Sequence, residues 1–383
     1  MKKILFVATV YHHLASFHKP FMNMFLDKGF EVHAIGSNSM GRKEELTAMG
    51  VVCHDMEFYR IPLSSKNMRA LKQLDDLLSE EYFELIHVHT PTAAFLTRYI
   101  VSKHQQGKII YTAHGFHFYK GAPLKNWLLF YIAEKLAVRW TDGLIVMNKE
   151  DYQLGKKLGY KEQENLFKVH GVGVDLTEFQ STISNNNINI RKELGLKDDS
   201  LIVCCVAELS ARKNQLFLLE NWPSIVMKCP NAHLIFIGTG SNEKKIKEYI
   251  TKQEIRNVHL IGFRRDVNQI LASSDIVTLV SKQEGLPKCL MEAMACGKVV
   301  VATNVRGSRD LVEHESTGIV VGLGDDASLV QSFVTVLQSD RLRLEYGRNG
   351  QKKVQNYSLQ IVLREMDEIY SRYLNNERSN AIG

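Results

Sequence analysis

The sequence predicts an α/β protein made of two doubly wound domains, each built on a parallel sheet. Three observations predict it. The chain has 383 residues, more than one ordinary hydrophobic core organises, so two domains of about 150 to 200 residues each are expected. Strand-sized apolar runs alternate with longer stretches of helical period from end to end, the pattern of parallel sheets covered by crossover helices. A polar break at 180–200, with three consecutive asparagines, divides those runs into two series.

The first series reads KILFVATV, FEVHAIG, VVCHDM, LIHVHT, KIIYTAHG, GLIVMN and LFKVHGVGV; the second reads LIVCCVAEL, AHLIFIG, NVHLIGF, DIVTLV, KVVVAT and GIVVGL. These runs place one domain at 1–178 and the other at 198–357. A final helix at about 358–383 is expected to pack back on the first domain. Ligands of doubly wound sheets bind beyond the carboxyl ends of the strands, so two such domains facing each other would enclose a deep cleft. None of the apolar runs approaches the length of a membrane span. KKILFVATV suits a first buried strand better than a secretory leader, because no small-residue cleavage site follows it.

Hydrophobic content of 45% and charged content of 23% are those of a globular protein rather than a disordered or repetitive one. The six cysteines form no CxxC pair and lie mostly in apolar segments, which points to reduced thiols in the cytoplasm and to neither disulfides nor a zinc site. Net charge is +6, and the stretch from Arg98 to Arg139 carries seven cations against Glu134 alone. That stretch is read either as a solvated basic face or as a docking surface for an anionic partner such as phospholipid. Within it, APLKNWLLFYIAEKLAVR (122–139) has an apolar face with Trp127, Leu128, Phe130 and Tyr131. It suits either a core-packed helix or one lying at a bilayer surface.

The segment SKQEGLPKCLMEAMACGK carries the most specific chemistry. A strand ends near Val280, a loop presents Glu284 and Gly285, and Pro287 suits the first turn of a helix that Gly297 would end. Backbone N–H groups following Gly285, Leu286 and Pro287 would then form an anion site at the positive end of the helix dipole. Glu292 falls about 7.5 Å further along the axis, within reach of a ribose diol beside a bound phosphate. Glu284 would meet the other end of the same ligand.

In this context SKQEGLPKCLMEAMACGKVVVAT, continued by GSRDLVEHESTGIVV, resembles the signature of retaining glycosyltransferases of family 4, which have the GT-B fold of two Rossmann-like domains. The resemblance implies that Glu292 holds the donor ribose and that Glu284 lies by the sugar and diphosphate. VAELSARKNQ is similar to the family's phosphate-binding segment and puts Lys213 on its lysine. Glu208 stands at the usual arginine position, so Arg212, or Arg264 or Arg265 of GFRRDV, is expected to supply the second cation. FIGTGS resembles the family's glycine turn, in which Gly238 and Gly240 let backbone approach the nucleotide. GFRRDV resembles the segment that meets the base, near Phe263 and Arg264.

YTAHGFHFYKGAPLKNWLLFYIAEK and ATVYHHLASFHKPFMNMFLDKGFEVHAIG resemble the branch of that family that builds bacterial capsule and exopolysaccharide repeat units. His114 takes the position of the family's cleft histidine, which contacts the transferred sugar. His12, His117 and Lys120 are further acceptor-side candidates. The first strand-to-helix loop reads VYHHLAS, where many members carry a glycine pair.

The implied activity is transfer of a sugar, with anomeric retention, from a nucleotide-sugar donor, UDP by family habit, to a polyprenyl-diphosphate-linked saccharide. No D-x-D pattern occurs and Lys213 with a helix dipole would neutralise the leaving diphosphate, so no metal or other cofactor is expected. The expected location is cytoplasmic, held peripherally against the inner leaflet. Two alternatives share these features: a sugar-nucleotide 2-epimerase of the same fold, and a non-catalytic nucleotide-sugar-binding partner. No Walker motif or GxGxxG follows the first strand, against kinase and dehydrogenase chemistry, and no nucleic-acid-binding module is present.

Overall fold

The computed structural model describes residues 1–59, 61, 62, 64–184 and 189–375. Two compact units result. One is formed by residues 1–172 with the last helix from Val362 onward, the other by residues 173–361.

All thirteen apolar runs form strands. The first unit contains β1 (Lys3–Val10), β2 (Glu31–Ser37), β3 (Val52–Asp55), β4 (Leu85–Val88), β5 (Lys108–Ala113), β6 (Gly143–Val146) and β7 (Leu166–Lys168). They make one seven-stranded sheet in the order β3-β2-β1-β4-β5-β6-β7. Every pairing in it is parallel. Because helices cover both faces, successive residues of the central strands are all inaccessible, as from Ile4 to Ala8 of β1. Each such Ile, Leu or Phe contributes on the order of 1.5–3 kcal/mol relative to exposure.

The second unit contains β8 (Leu201–Val206), β9 (Ala232–Ile237), β10 (Val258–Leu260), β11 (Ile276–Leu279), β12 (Val299–Thr303) and β13 (Gly318–Val321). They form a parallel six-stranded sheet in the order β10-β9-β8-β11-β12-β13. In each sheet the winding reverses once, between β1 and β4 and between β8 and β11. Those reversals create the crevices where doubly wound domains bind ligands.

The chain passes from the first unit to the second at Val172–Gly173, ahead of the polar 180–200 stretch. That stretch holds the end of a helix, Leu176–Ser184, and a short helix, Ile190–Glu193, both within the second unit; the asparagine run itself lies outside the described residues. The C-terminal helix Leu359–Asn375 joins the first unit from Val362, where Tyr370 Oη meets His87 Nδ1 at 2.9 Å and Tyr373 donates to the Asp142 carbonyl.

Residues 122–139 divide their apolar side chains between two faces. Trp127, Phe130, Tyr131 and Val138 pack against the core, whereas Leu124 (74% exposed), Leu128, Ile132 (59%) and Leu136 stand in solvent at four-residue intervals. A π-type turn at Trp127–Tyr131 widens the helix between them. The basic stretch is also smaller than its composition suggests. Arg98 is fully buried and paired with Glu134 at 2.9 Å, and Lys135 donates to the Leu158 carbonyl.

Candidate active site

In the second unit the switch point is closed by loops that bond to one another. The loop after β8 runs beside the end of β9, with Ala207 and Leu209 donating to the carbonyls of Ile237 and Thr239. Gly238 (φ +134°) and Gly240 are required here, because a Cβ on either would overlap the Ala207 or Leu209 carbonyl. The close approach they permit within the protein is to the 207–209 backbone.

Lys213 follows, and Asn214 in the left-handed region (φ +60°) turns the chain into the helix Gln215–Lys228. Lys213 Nζ lies 2.6 Å from Glu284 Oε1, and the Glu284 carboxylate is 7% exposed. Arg212 Nη1 is 3.6 Å from the same oxygen and donates to the Gln283 carbonyl at 3.2 Å, while Lys282 N–H donates to the Arg212 carbonyl. The loop after β8 is thereby laced to the loop after β11.

The loop after β12 supplies a third side. Buried Arg306 donates from Nε to the Glu284 carbonyl at 3.0 Å. Gly307 (φ +76°) presses on Gly285 so closely that a Cβ would strike the Gly285 carbonyl. Buried hydroxyls of Ser210, Ser281 and Ser308, one from each of these loops, have no hydrogen-bond partner.

The helix after Glu284 spans Lys288–Ala295 and is preceded by Pro287 at the N-cap, one residue earlier than a first-turn proline. No side chain caps it, so its opening N–H groups remain available to an anion or water. Leu286 packs against the core and fixes the approach to the helix. Glu292 is one turn in, half-buried, with Lys288 Nζ 3.4 Å from Oε1. Glu178 contributes a further carboxyl whose pKa is raised by burial and then by Asp175, with Glu292 adding to the effect.

The remaining predicted residues of this unit divide. Glu208 is exposed. Arg264 binds Asp266 and Glu193, Arg265 is exposed, and Arg212 is the candidate that reaches the Glu284 carboxylate beside Lys213. Phe263 is exposed at the carboxyl side of β10.

In the first unit β1 runs straight into the helix Tyr11–Phe17, which puts His12 and His13 in its first turn where a glycine loop is usual. The structure gathers His13, His18, His87, His89 and His114 at the ends of the neighbouring strands β1, β4 and β5. His114 Nε2 faces His18 Nε2 at 3.2 Å, and His18 stacks on His89 with ring centres 3.7 Å apart. His87 is tied on both nitrogens, to Tyr370 and to Thr112 at 2.7 Å. Burial keeps these imidazoles neutral. His13 falls to about 4 and His87 to about 3, while His18, His89 and His114 are held well below the ordinary histidine value.

His117 instead packs against Phe130 with its ring tilted, His12 lies by Arg42, and Lys120 is exposed with its backbone N–H on Glu150. Sequence reasoning therefore missed His13, His18 and Arg306. The pair HH in VYHHLAS was its only hint of the first. Arg306 follows β12 directly, so its place beyond a strand's carboxyl end was the available signal.

Two Rossmann-like units, each built on its own parallel sheet with loops gathered at a switch point, give the chain the GT-B fold. Residues 186–353 match the family described as glycosyl transferases group 1, and residues 3–148 match glycosyl transferase 4-like proteins. The chain is 32% identical over 381 residues to EpsD of Bacillus subtilis, named as a glycosyltransferase, covering 97% of both chains. It is 28% identical to the UDP-Gal:alpha-D-GlcNAc-diphosphoundecaprenol alpha-1,3-galactosyltransferase of Escherichia coli, over 81% of this chain and 80% of that one. Among solved structures, Anabaena HepE in complex with UDP and glucose superposes with a TM-score of 0.79 at 21% identity, covering 97% of this chain and all of that one. The chain belongs to this glycosyltransferase family.

Proposed function

We propose that the protein transfers a sugar, with retention of anomeric configuration, from a UDP-sugar to a saccharide carried on a polyprenyl diphosphate, in the assembly of a capsule or exopolysaccharide. The observation that carries the donor half is the Lys213–Glu284 pair at the β8/β11 switch point, beside the uncapped helix Lys288–Ala295. An incoming diphosphate takes Lys213 and Arg212 as counter-cations and the helix N–H groups as donors, in a buried setting where each interaction is strong. Glu292 accepts from the ribose hydroxyls. Glu284, released from part of its pairing, faces the sugar as an electrostatic partner.

Both cations and the dipole serve the departing diphosphate, so no divalent cation is required there. The oxygen of that diphosphate takes the acceptor proton as it leaves, which accounts for retention without a separate general base. The UDP donor and the lipid-diphosphate acceptor follow the E. coli relative, whose name states both. The stripe Leu124, Leu128, Ile132 and Leu136, bordered by Lys125, suits shallow insertion at an anionic leaflet, where such an acceptor resides.

The test is incubation of the full-length protein with a panel of UDP-sugars, with and without a polyprenyl-diphosphate-linked sugar. Sugar transfer to the lipid supports the reading. Release of an epimerised nucleotide sugar from donor alone, or donor binding without turnover in either arm, overturns it.

A further inference from the structure

His13 and His18 have no part in the transferase reading, and the structure brings them to His114, which the family resemblance places by the transferred sugar. One nitrogen from each lies within 4.8 Å of the other two. The three residues come from different places in the chain: the first turn of the helix Tyr11–Phe17, the residue just after it, and the end of β5. Each segment is anchored by the sheet, because β1 feeds the helix directly and β5 pairs with β4 and β6.

The nitrogens face one another within the group. His18 Nε2 and His114 Nε2 face at 3.2 Å, and His13 Nε2 is buried with no hydrogen-bond partner. Two imidazole ligands of one tetrahedral ion, each at about 2.0–2.1 Å, stand about 3.3–3.4 Å apart. The His18–His114 spacing already matches that value, and a spacing at the 4.8 Å limit of the group closes with about 1.4 Å of ring movement. His87 shows the contrast: both its nitrogens are occupied, by Tyr370 and Thr112.

We propose that His13, His18 and His114 bind a divalent transition cation of the zinc class, tying the helix after β1 to the end of β5. Three neutral imidazoles with no carboxylate favour Zn(II), Co(II), Ni(II) or Cu(II) over Mg(II) and Ca(II), which take oxygen ligands. Three protein ligands are one short of a tetrahedral set, which a water would complete. This departs from the sequence-based expectation of no metal. It also differs from a diphosphate-bridging cation, since its ligands are nitrogens and belong to the first unit. The inference stands whether or not the chain transfers sugar.

The test uses the full-length, untagged protein, stripped with chelator and dialysed against micromolar Zn(II) or Co(II). About one equivalent of metal is expected to remain, and Zn(II) is expected to raise the thermal midpoint. The double variant His13→Asn/His18→Asn is expected to lose at least about tenfold in affinity, with no rise in midpoint on adding Zn(II). His12→Asn is expected to behave as wild type. X-ray absorption of the wild-type zinc form supplies a readout that needs no variant, and nitrogen-only ligation with imidazole scattering is expected. Failure of the folded wild type to retain stoichiometric metal, sulfur in the ligand shell, or unchanged binding in the double variant overturns the proposal.

Discussion

Lys213 Nζ lies 2.6 Å from Glu284 Oε1, joining loops that leave the adjacent parallel strands β8 and β11 from positions 71 residues apart. The pair is nearly dry, so Lys213 and Glu284 compensate each other, with Arg212 at 3.6 Å a second cation on the carboxylate. A diphosphate that takes over Lys213 changes the surroundings of Glu284 at the moment the sugar is bound. Lys213→Ala is expected to lower kcat/KM by about 100-fold or more, on the order of 3 kcal/mol of transition-state stabilisation. Glu284→Gln is expected to lower kcat by about 10-fold or more with a smaller change in KM. Steady-state kinetics over a range of donor concentrations separates the two.

Glu292 is assigned to the ribose, which UDP and UDP-sugar share. Glu292→Ala is therefore expected to weaken both ligands equally, by about tenfold or about 1.4 kcal/mol in a calorimetric titration. Loss of UDP-sugar binding with UDP binding intact would move Glu292 from the ribose to the sugar.

Gly307 lets the loop after β12 lean on Gly285. Gly307→Ala places a Cβ against the Gly285 carbonyl in a backbone region that disfavours side chains, so the loop carrying Glu284 must shift. The expected outcome is loss of UDP affinity with a lowered thermal midpoint. Gly262→Ala is the control: it also has positive φ (+70°), but nothing lies within 4 Å of the added Cβ.

The exposed leucine and isoleucine stripe separates surface function from packing. Leu128→Asp/Ile132→Asp is expected to abolish co-sedimentation with anionic vesicles while leaving the thermal midpoint within about 1 °C, because both side chains already stand in solvent. Lys125→Glu is expected to weaken binding more at low than at high salt. Lys135 is a poor choice for that experiment, since its ammonium holds the Leu158 carbonyl.

The strands were legible because a strand buried on both faces is apolar at most positions, a signal carried within a few residues. EGLPKCLME was legible for a similar reason: loop, proline, helix and carboxylates are local features. What the sequence could not show is contact across large separations. Arg98 counts toward a basic stretch until Glu134, 36 residues on, is seen beside it in the core. His13 and His18 acquire meaning only beside His114, which lies 96 residues beyond His18. The face of 122–139 was misjudged because a π-type turn shifts its phase, sending Trp127 and Tyr131 inward and Leu128 outward. Gly238 and Gly240 were recognised as necessary, but their neighbour is the 207–209 backbone.

The configuration of the new glycosidic bond tests the central claim most directly. The protein is incubated with an α-linked UDP-sugar and a polyprenyl-diphosphate-linked sugar, and the anomeric coupling of the product is read by NMR. Same-face displacement at the Lys213–Glu284 site predicts an α linkage in the lipid-bound product; a β linkage would contradict it.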